Sequence, residues 1–276
     1  MQHPAQESLL GRQTSYASSY DAGLLFPIAR QHKWQELGLS KETLPYHGVD
    51  IWNAYELSWL QENGKPVVAM AQITIPASSP NIIESKSFKL YLNSFNQTRF
   101  ADHEQVRQLL QADLSAVAGA GVQVCLSSLA EATAAGVGSL PGLCIDELEV
   151  SLEQYSHPDA ALLQCDRQHI VSESVHSHLL RSCCPVTGQP DWGSLCIEYQ
   201  GPALDHARLL AYVVSFREHQ DFHEQCVERI FVDLYQLLQP QQLSVYARYL
   251  RRGGLDINPC RSLQPQQYGN LRLVRQ

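Results

Sequence analysis

Two features are missing from this 276-residue sequence and a third is scarce, and each argues against a class of protein. No run of about 18 apolar residues occurs, so a membrane-spanning helix is not expected. No Gly-x-Gly-x-x-Gly motif follows a strand-like segment, which argues against a Rossmann cofactor site. Positive charge is scarce: 20 Lys and Arg stand against 28 Asp and Glu, for a formal net charge of −8. Direct binding to tRNA or DNA is therefore not expected.

The cysteines lack the spacing of a zinc motif. Eight are present, but no two of them form a CxxC pair, so the sequence does not predict a structural zinc site. The N-terminal segment 1–7 is polar and lacks the basic start and apolar run of a leader peptide. We therefore expect a cytoplasmic protein with reduced thiols.

What the chain does contain is an internal repeat. The segment 91–95 resembles 212–216, and His-Glu-Gln at 103–105 recurs at 223–225. Each half is predicted to run strand, strand, turn, helix, which indicates an α+β fold. Small and turn-forming residues at 134–142 place the predicted boundary between a unit at 1–140 and a second unit at 141–276.

The apolar pattern predicts the elements of each half. Alternation predicts a hairpin of strands at 55–60 and 67–75, an edge strand at 82–92, a strand at 194–199 ending at Gly201-Pro202, and a strand at 209–216. Apolar residues three and four positions apart predict helices around 106–114 and 227–238. The first helix is expected to end at Gly119 and the second at Pro240.

The segment 181–193 holds the clearest candidate chemistry. It combines Cys183, Cys184, Pro185, Pro190 and Asp191, so a thiol nucleophile and an acid would be held at a fixed separation. Either cysteine could be that nucleophile if its thiolate were stabilised. The alternative is an ordinary turn with incidental cysteines.

A second cluster, at 219–224, lies where the second helix is expected to begin. A histidine at a helix N-terminus favours the neutral form, so His223 could relay a proton, and Glu224 could accept hydrogen bonds from a purine-like ligand. The alternatives are that Asp221 and Glu224 only complement the helix dipole, or that His219 and His223 bind a metal.

Two further segments could bind a ligand. Glu84 beside Ser85 and Lys86 could bind a heterocycle and a phosphate at neighbouring positions, although an exposed edge strand protected by lysines is the simpler interpretation. In the segment 251–257, arginines could contact phosphate where glycine allows close approach of the backbone.

Together these segments resemble the NADPH-dependent 7-cyano-7-deazaguanine reductases, the nitrile reductases of queuosine biosynthesis, in their long form with two tandem tunnelling-fold units. Four segments carry the resemblance: Glu-Ser-Lys-Ser-Phe-Lys-Leu-Tyr at 84–91, Cys-Pro-Val-Thr-Gly-Gln-Pro-Asp-Trp-Gly at 184–193, Phe-His-Glu-Gln-Cys-Val-Glu-Arg at 222–229 and Arg-Arg-Gly-Gly-Leu-Asp-Ile-Asn-Pro at 251–259. In this family the nucleophile lies seven residues before the acid, which implies Cys184 and Asp191. Cys183 departs from the family, where a polar residue is usual.

The resemblance also implies roles for the other residues, which we state as expectations. The product would be 7-aminomethyl-7-deazaguanine, formed through a covalent thioimide with hydride from NADPH, by a homodimer that uses no metal. In the first half, the segment 44–50 corresponds to the loop of Cys184 but contains no cysteine. One active site per chain is therefore expected. The implied residues are Cys184, Asp191 and His223 for catalysis; Ile83, Glu84, Ser85, His223 and Glu224 for the substrate; and Ser85, Lys86, Arg252 and Gly253 for NADPH.

Two other functions compete with this one. A zinc-dependent hydrolase similar to the GTP cyclohydrolases would share the fold and would use Cys and His, with a role for His219. A non-catalytic purine-binding protein would keep Glu84 and Glu224, but the Cys184 and Asp191 pair argues against it.

Overall fold

The chain divides into two units, each built from more than one segment. The computed structural model describes residue 17 and residues 19–276, so the segment 1–7 lies outside the described residues. Unit 1 comprises the described residues up to 41, with 50–136 and 251–256, and unit 2 comprises 42–49, 137–250 and 257–276. The contiguous units 1–140 and 141–276 stay a prediction.

Unit 1 combines antiparallel strands with helices. In it, β5 pairs antiparallel with β3, which lies next to β2, and β1 pairs antiparallel with β4. The predicted hairpin of strands is confirmed. The elements are β1 (Pro27–Ala29), α1 (Gln31–Glu36), most of β2 (His47–Leu60), β3 (Pro66–Pro76), β4 (Asn81–Ile83), α2 (Ser85–Ser94), α3 (His103–Ala118), β5 (Gln123–Ser127) and α4 (Leu129–Ala134).

Unit 2 also combines strands with helices, and its sheet has more strands. Its strand order is β11-β10-β9-β7-β6, and β8 pairs with β9 as well. All of the pairs are antiparallel except that of β6 with β7. The elements are β6 (Leu143–Cys144), β7 (Cys165–Ser177), β8 (Arg181–Cys183), β9 (Pro190–Leu204), α5 (His206–Ser215), α6 (His223–Leu238), β10 (Gln242–Tyr249) and most of β11 (Leu255–Ser262).

The two longest helices form where the apolar periodicity predicts them. In α3, Val106, Leu110 and Leu114 are buried at four-residue spacing, and the helix ends at Gly119 with a left-handed φ of 69°. In α6, the C-cap residue is Gln239, also left-handed with a φ of 45°, and Pro240 follows. These mixed helices and sheets confirm the α+β prediction.

Two predicted strands are helices instead. The segment 82–92 contains only the short strand β4 before α2, because Phe88, Tyr91, Leu92 and Phe95 recur at helical spacing and are all buried. The segment 209–216 likewise lies mostly in α5. In both segments, apolar and polar residues alternate over a few positions, as they do in a strand, although the longer pattern is helical.

Another prediction was wrong in its boundary. The strand expected to end at Gly201-Pro202 continues as β9 to Leu204. There Gly201 lies opposite Val171 and Pro202 opposite Ile170, beside a register shift in β7. An irregular stretch of ladder tolerates a proline that cannot donate a hydrogen bond.

No helix among the described residues is both long and apolar enough to cross a membrane.

A buried ion pair attaches α6 to its sheet. Glu228 Oε1 accepts a hydrogen bond from Nη2 of Arg261 on β11 at 2.7 Å, and the side chains are 1% and 0% exposed. The guanidinium of Arg261 also lies 5.5 Å from the ring centroid of Tyr46, another residue of unit 2. Removing the Glu228 carboxylate would leave the Arg261 guanidinium buried without this counter-charge.

We therefore expect Glu228→Gln to lower the free energy of unfolding by about 3–5 kcal/mol, measured by denaturant titration. The control is Glu104→Gln, which removes the carboxylate of an exposed ion pair with Arg107 and should cost far less. Equal losses in the two variants would contradict the structural role given to the buried pair.

Candidate active site

The candidate thiol loop is the turn of a β-hairpin. Strand β8 pairs with the start of β9, so that Ser182 lies opposite Asp191 and Cys183 opposite Pro190. The same register continues into the turn, where the backbone N–H of Cys184 donates to the carbonyl of Gln189 at 2.9 Å. The N–H of Gly188 then donates to the carbonyl of Cys184 at 3.0 Å, and Gly188 adopts a φ of 68° that suits glycine.

This register separates the two adjacent cysteines. Side chains of neighbouring residues in a strand point to opposite faces, and directly opposed residues share a face. Cys184 therefore belongs to the face that carries Ser182 and Asp191, whereas Cys183 belongs to the other face. The Sγ of Cys183 accordingly lies 3.8 Å from the carbonyl oxygen of Arg217, to which it can donate.

The face that carries Cys183 is lined by positive charge around an aromatic ring. Trp192 is 38% exposed, and the guanidinium carbons of Arg181 and Arg217 lie 5.3 Å and 5.5 Å from its ring centroid. Such cation–π contacts hold the indole in place at the surface. Sequence reasoning did not select either arginine.

A third backbone segment fixes the hairpin on its other side. The N–H of Cys183 donates to the carbonyl of His219 at 2.8 Å, and the N–H of Asp221 donates to the carbonyl of Cys183 at 3.1 Å. The chain then enters α6, whose first two residues are His223 and Glu224. The thiol hairpin and the start of this helix are thus held together by backbone hydrogen bonds.

Asp191 meets His223 at this junction. The Oδ2 of Asp191 lies 3.5 Å from Nε2 of His223, and the two side chains are 5% and 10% exposed. The imidazole stacks on the ring of Tyr249 from β10, with centroids 3.8 Å apart and planes 3° apart. Among the buried side-chain atoms of the described residues, Nδ1 of His223 has no hydrogen-bond partner. A ligand could supply one.

The rest of the cluster at 219–224 is also buried. Glu224 is 2% exposed and Asp221 is 3% exposed. Asp221 accepts a hydrogen bond from the N–H of Phe222 at 3.1 Å, and its other carboxylate oxygen lies 3.3 Å from Nε2 of His219. His219 and Asp221 therefore organise the helix entrance, which leaves His223 and Glu224 as the candidate ligand contacts.

In unit 1, Glu84 is the N-cap residue of α2. Its two carboxylate oxygens each accept one backbone hydrogen bond at 2.7 Å, from Lys86 and from Ser87. A carboxylate oxygen has more than one lone pair, so each can accept a further hydrogen bond. Burial raises the pKa of Glu84 above its usual value, although the two N–H groups and the charges of Lys89 and Lys86 act in the opposite direction. Ile83, immediately before it, is 2% exposed.

The candidate phosphate-binding residues of unit 1 lie at the start of α2 and in a glycine turn packed against it. Gly253 and Gly254 both adopt positive φ, at 56° and 76°. A Cβ at Gly253 would lie 3.2 Å from Cδ of Lys89, so this turn lies against α2 one helical turn after Lys86. The guanidinium of Arg251 lies 4.9 Å from the ring centroid of Tyr55. Ser85, Lys86, Arg252 and Gly253 thus belong to one region of unit 1.

The side chains of the two units define a class of protein. A buried thiol and a carboxylate belong to one face of a hairpin in unit 2, and an imidazole from α6 lies 3.5 Å from that carboxylate. This arrangement is typical of an enzyme that uses a cysteine nucleophile. In the other unit, a helix N-terminus carries a buried acceptor carboxylate followed by lysines.

Comparison with protein families then identifies the chain. Residues 16–126 match the family model described as "Nitrile reductase, 7-cyano-7-deazaguanine-reductase N-term", and residues 190–268 match that described as "QueF-like protein". The chain belongs to the nitrile reductase family of queuosine biosynthesis and carries two tunnelling-fold units. It is an oxidoreductase.

The matched segments include most of the candidate residues but not the thiol. Glu84, Ser85 and Lys86 lie in the first segment, and Asp191 and His223 lie in the second. Cys184 lies between the two segments, so its assignment rests on the hairpin register and on its spacing to Asp191.

Tyr249 is the residue of this cluster that sequence reasoning missed. It lies 58 positions after Asp191 (249 − 191) and has no motif of its own. Its place next to His223 follows from the pairing of β10 with β9, in which Tyr249 lies opposite Gly193. Only the register of the sheet could have revealed it.

Gly193 provides a test of this packing. A Cβ there would lie 3.2 Å from both Leu180 and the ring of Tyr249, the ring on which His223 stacks. We expect Gly193→Ala to lower the free energy of unfolding by about 1–3 kcal/mol through overpacking, measured by denaturant titration. Gly121→Ala is the matched control, because a Cβ at Gly121 meets nothing within 4 Å. Unchanged stability in Gly193→Ala would show that the ring is not tightly packed.

Proposed function

We propose that this enzyme reduces the nitrile of 7-cyano-7-deazaguanine to the aminomethyl group of 7-aminomethyl-7-deazaguanine, with hydride from NADPH and through a thioimide on Cys184. The observation that carries the proposal is the hairpin register, which assigns Cys184 to the face of Asp191, next to His223. Membership of the nitrile reductase family supplies the type of reaction.

The first step forms a bond between sulfur and carbon. The Cys184 thiolate adds to the nitrile carbon, and one π-electron pair moves to nitrogen, which takes a proton from the acid. This converts an unreactive triple bond into a C=N bond. Asp191 is the proposed acid, because its carboxyl group belongs to the same hairpin face as Cys184.

In total, each nitrile takes up two hydrides and two protons on the way to the amine, and one of these protons is the one acquired in the first step. Two molecules of NADPH are therefore required, and the thiolate is released as the carbon–sulfur bond breaks. His223 would deliver protons or hold the reacting group, since its Nε2 lies 3.5 Å from Asp191 and its Nδ1 has no partner among the described residues.

We propose that two glutamate carboxylates recognise the deazaguanine base of the substrate. The guanine-like edge of the substrate presents a ring N–H and an amino group, and a carboxylate can accept both hydrogen bonds. Glu84 and Glu224 are the proposed acceptors, and both are buried, at 0% and 2% exposure. Ile83 and Ser85 flank Glu84 in sequence and are proposed to contact the same ligand.

NADPH is assigned to the region around the start of α2. Lys86 and Arg252 would pair with its phosphates, Ser85 would donate a hydrogen bond, and Gly253 would allow close approach of the backbone. Two observations support a phosphate site here: Gly253 has a positive φ, and it packs against Lys89. When bound, NADPH supplies the hydride.

A homodimer, a cytoplasmic location and the absence of direct nucleic-acid binding stay predictions. The rival zinc-dependent hydrolase gains no support from His219, whose ring lies 3.3 Å from Asp221 at the entrance to α6. That hydrolase would require stoichiometric zinc for activity.

We expect the enzyme, mixed with 7-cyano-7-deazaguanine and no NADPH, to form a covalent adduct with the mass of the intact nitrile, detected by mass spectrometry of the whole chain. The adduct should be lost in Cys184→Ala, because the attacking sulfur is absent. It should persist in the control Cys183→Ala, which removes the neighbouring thiol on the other hairpin face. An adduct retained in Cys184→Ala would refute the proposed nucleophile.

We also expect Glu84→Gln to raise the KM for the nitrile roughly tenfold or more in NADPH-oxidation assays, because it replaces a charged acceptor by an amide. Gln keeps one oxygen for capping α2, so the fold should survive, as checked by circular dichroism. Glu104→Gln on α3 is the control, since that side chain is exposed. An unchanged KM in Glu84→Gln would remove this residue from the substrate site.

A further inference from the structure

We propose that Cys144, His176 and His178 of unit 2 form a binding site for a divalent transition metal of the zinc type. The Sγ of Cys144 and one ring nitrogen from each histidine lie within 4.8 Å of one another. None of these residues is among those assigned to nitrile reduction. The three residues do not form a CxxC motif, which explains why cysteine spacing did not indicate them.

Strand pairing brings the three side chains together. Strand β6 runs parallel to β7, and Cys144 lies opposite His176 in this register. His178 follows two positions after His176, directly after the last residue of β7, and the extended chain brings the two imidazoles to the same side. Their ring centroids are 5.3 Å apart. The three donors therefore come from neighbouring backbone positions of one sheet edge.

The hydrogen bonds of His176 orient it for a metal. Its Nδ1 lies 2.9 Å from the carbonyl oxygen of Pro141, which can only accept, so Nδ1 carries the proton. The lone pair is then on Nε2. A metal-binding histidine usually donates its other ring N–H to a carbonyl or carboxylate in this way.

His178 has a comparable partner. Its Nδ1 lies 2.8 Å from Oγ of Ser194, which also accepts a hydrogen bond from Arg275 at 3.2 Å. A hydroxyl oxygen can accept from an Nδ1–H as well as from Arg275, and in that tautomer of His178 the lone pair available to a metal is on Nε2.

The donor set selects the metal. One thiolate and two imidazoles suit zinc and its neighbours in the first transition row, and not magnesium or calcium. Zinc lies about 2.3 Å from sulfur and about 2.0–2.1 Å from nitrogen, so the donors must approach one another slightly. Cys144 is exposed, and its thiol is free to rotate. Three protein ligands leave the fourth position for water or another molecule.

The test is a titration of the full chain with Co²⁺, whose absorption reports a bond to thiolate sulfur. It is done in the Cys184→Ala background, so that the proposed nucleophile cannot contribute. We expect one equivalent of Co²⁺ and a sulfur-to-cobalt charge-transfer band that Zn²⁺ displaces. Cys144→Ser should abolish the band, and His176→Ala should weaken binding at least about tenfold, as removal of even an outer partner does.

Two matched controls accompany these variants. Cys125→Ser removes another exposed cysteine, and His169→Ala removes an exposed histidine that also lies on β7. Both should retain the band and the affinity. A band that persists in Cys144→Ser, or affinities in His176→Ala and His169→Ala that do not differ, would overturn the proposal. Nitrile reduction by Cys144→Ser in the otherwise unaltered chain would be retained, since the metal is not assigned to that reaction.

Discussion

The candidate active site depends on the backbone hydrogen bonds that hold strand β8 between two neighbours. On one side, the register of β8 with β9 continues through Cys184 and Gln189. On the other side, Cys183 exchanges hydrogen bonds with His219 and Asp221. A shift of one residue in the first register would move Cys184 to the opposite face and bring Cys183 to the face of Asp191.

The helix α6, which follows His219 and Asp221, is held by side-chain contacts. The first turn of α6 carries His223 and Glu224, and the buried Glu228–Arg261 pair attaches the next turn to β11. The stack of His223 on Tyr249 orients the imidazole between that helix and the sheet. A catalytic imidazole is useful only if its orientation is set before the substrate arrives, and this packing sets it.

Much of this could be predicted from the sequence, and the failures have a common cause. The long helices α3 and α6 were predictable because their apolar residues keep one period over four turns. The segments 82–92 and 209–216 are helical where strands are predicted, because so few residues do not separate a period of two from one of 3.6 when polar residues interrupt the pattern. The cap at Glu84 is a local hydrogen-bond pattern that the glutamate alone did not indicate.

The sequence by itself determined the family, the spacing of Cys184 to Asp191 and the internal repeat, because all three are properties of residue order. The choice between two adjacent thiols could also be made from the family spacing, and the hairpin register now gives a physical reason for it. Only the tertiary structure brought Tyr249 to His223 and placed Cys144 opposite His176, since both contacts arise from strands that pair across the sheet. Residues distant along the chain become neighbours through register, and register depends on the packing of the whole unit.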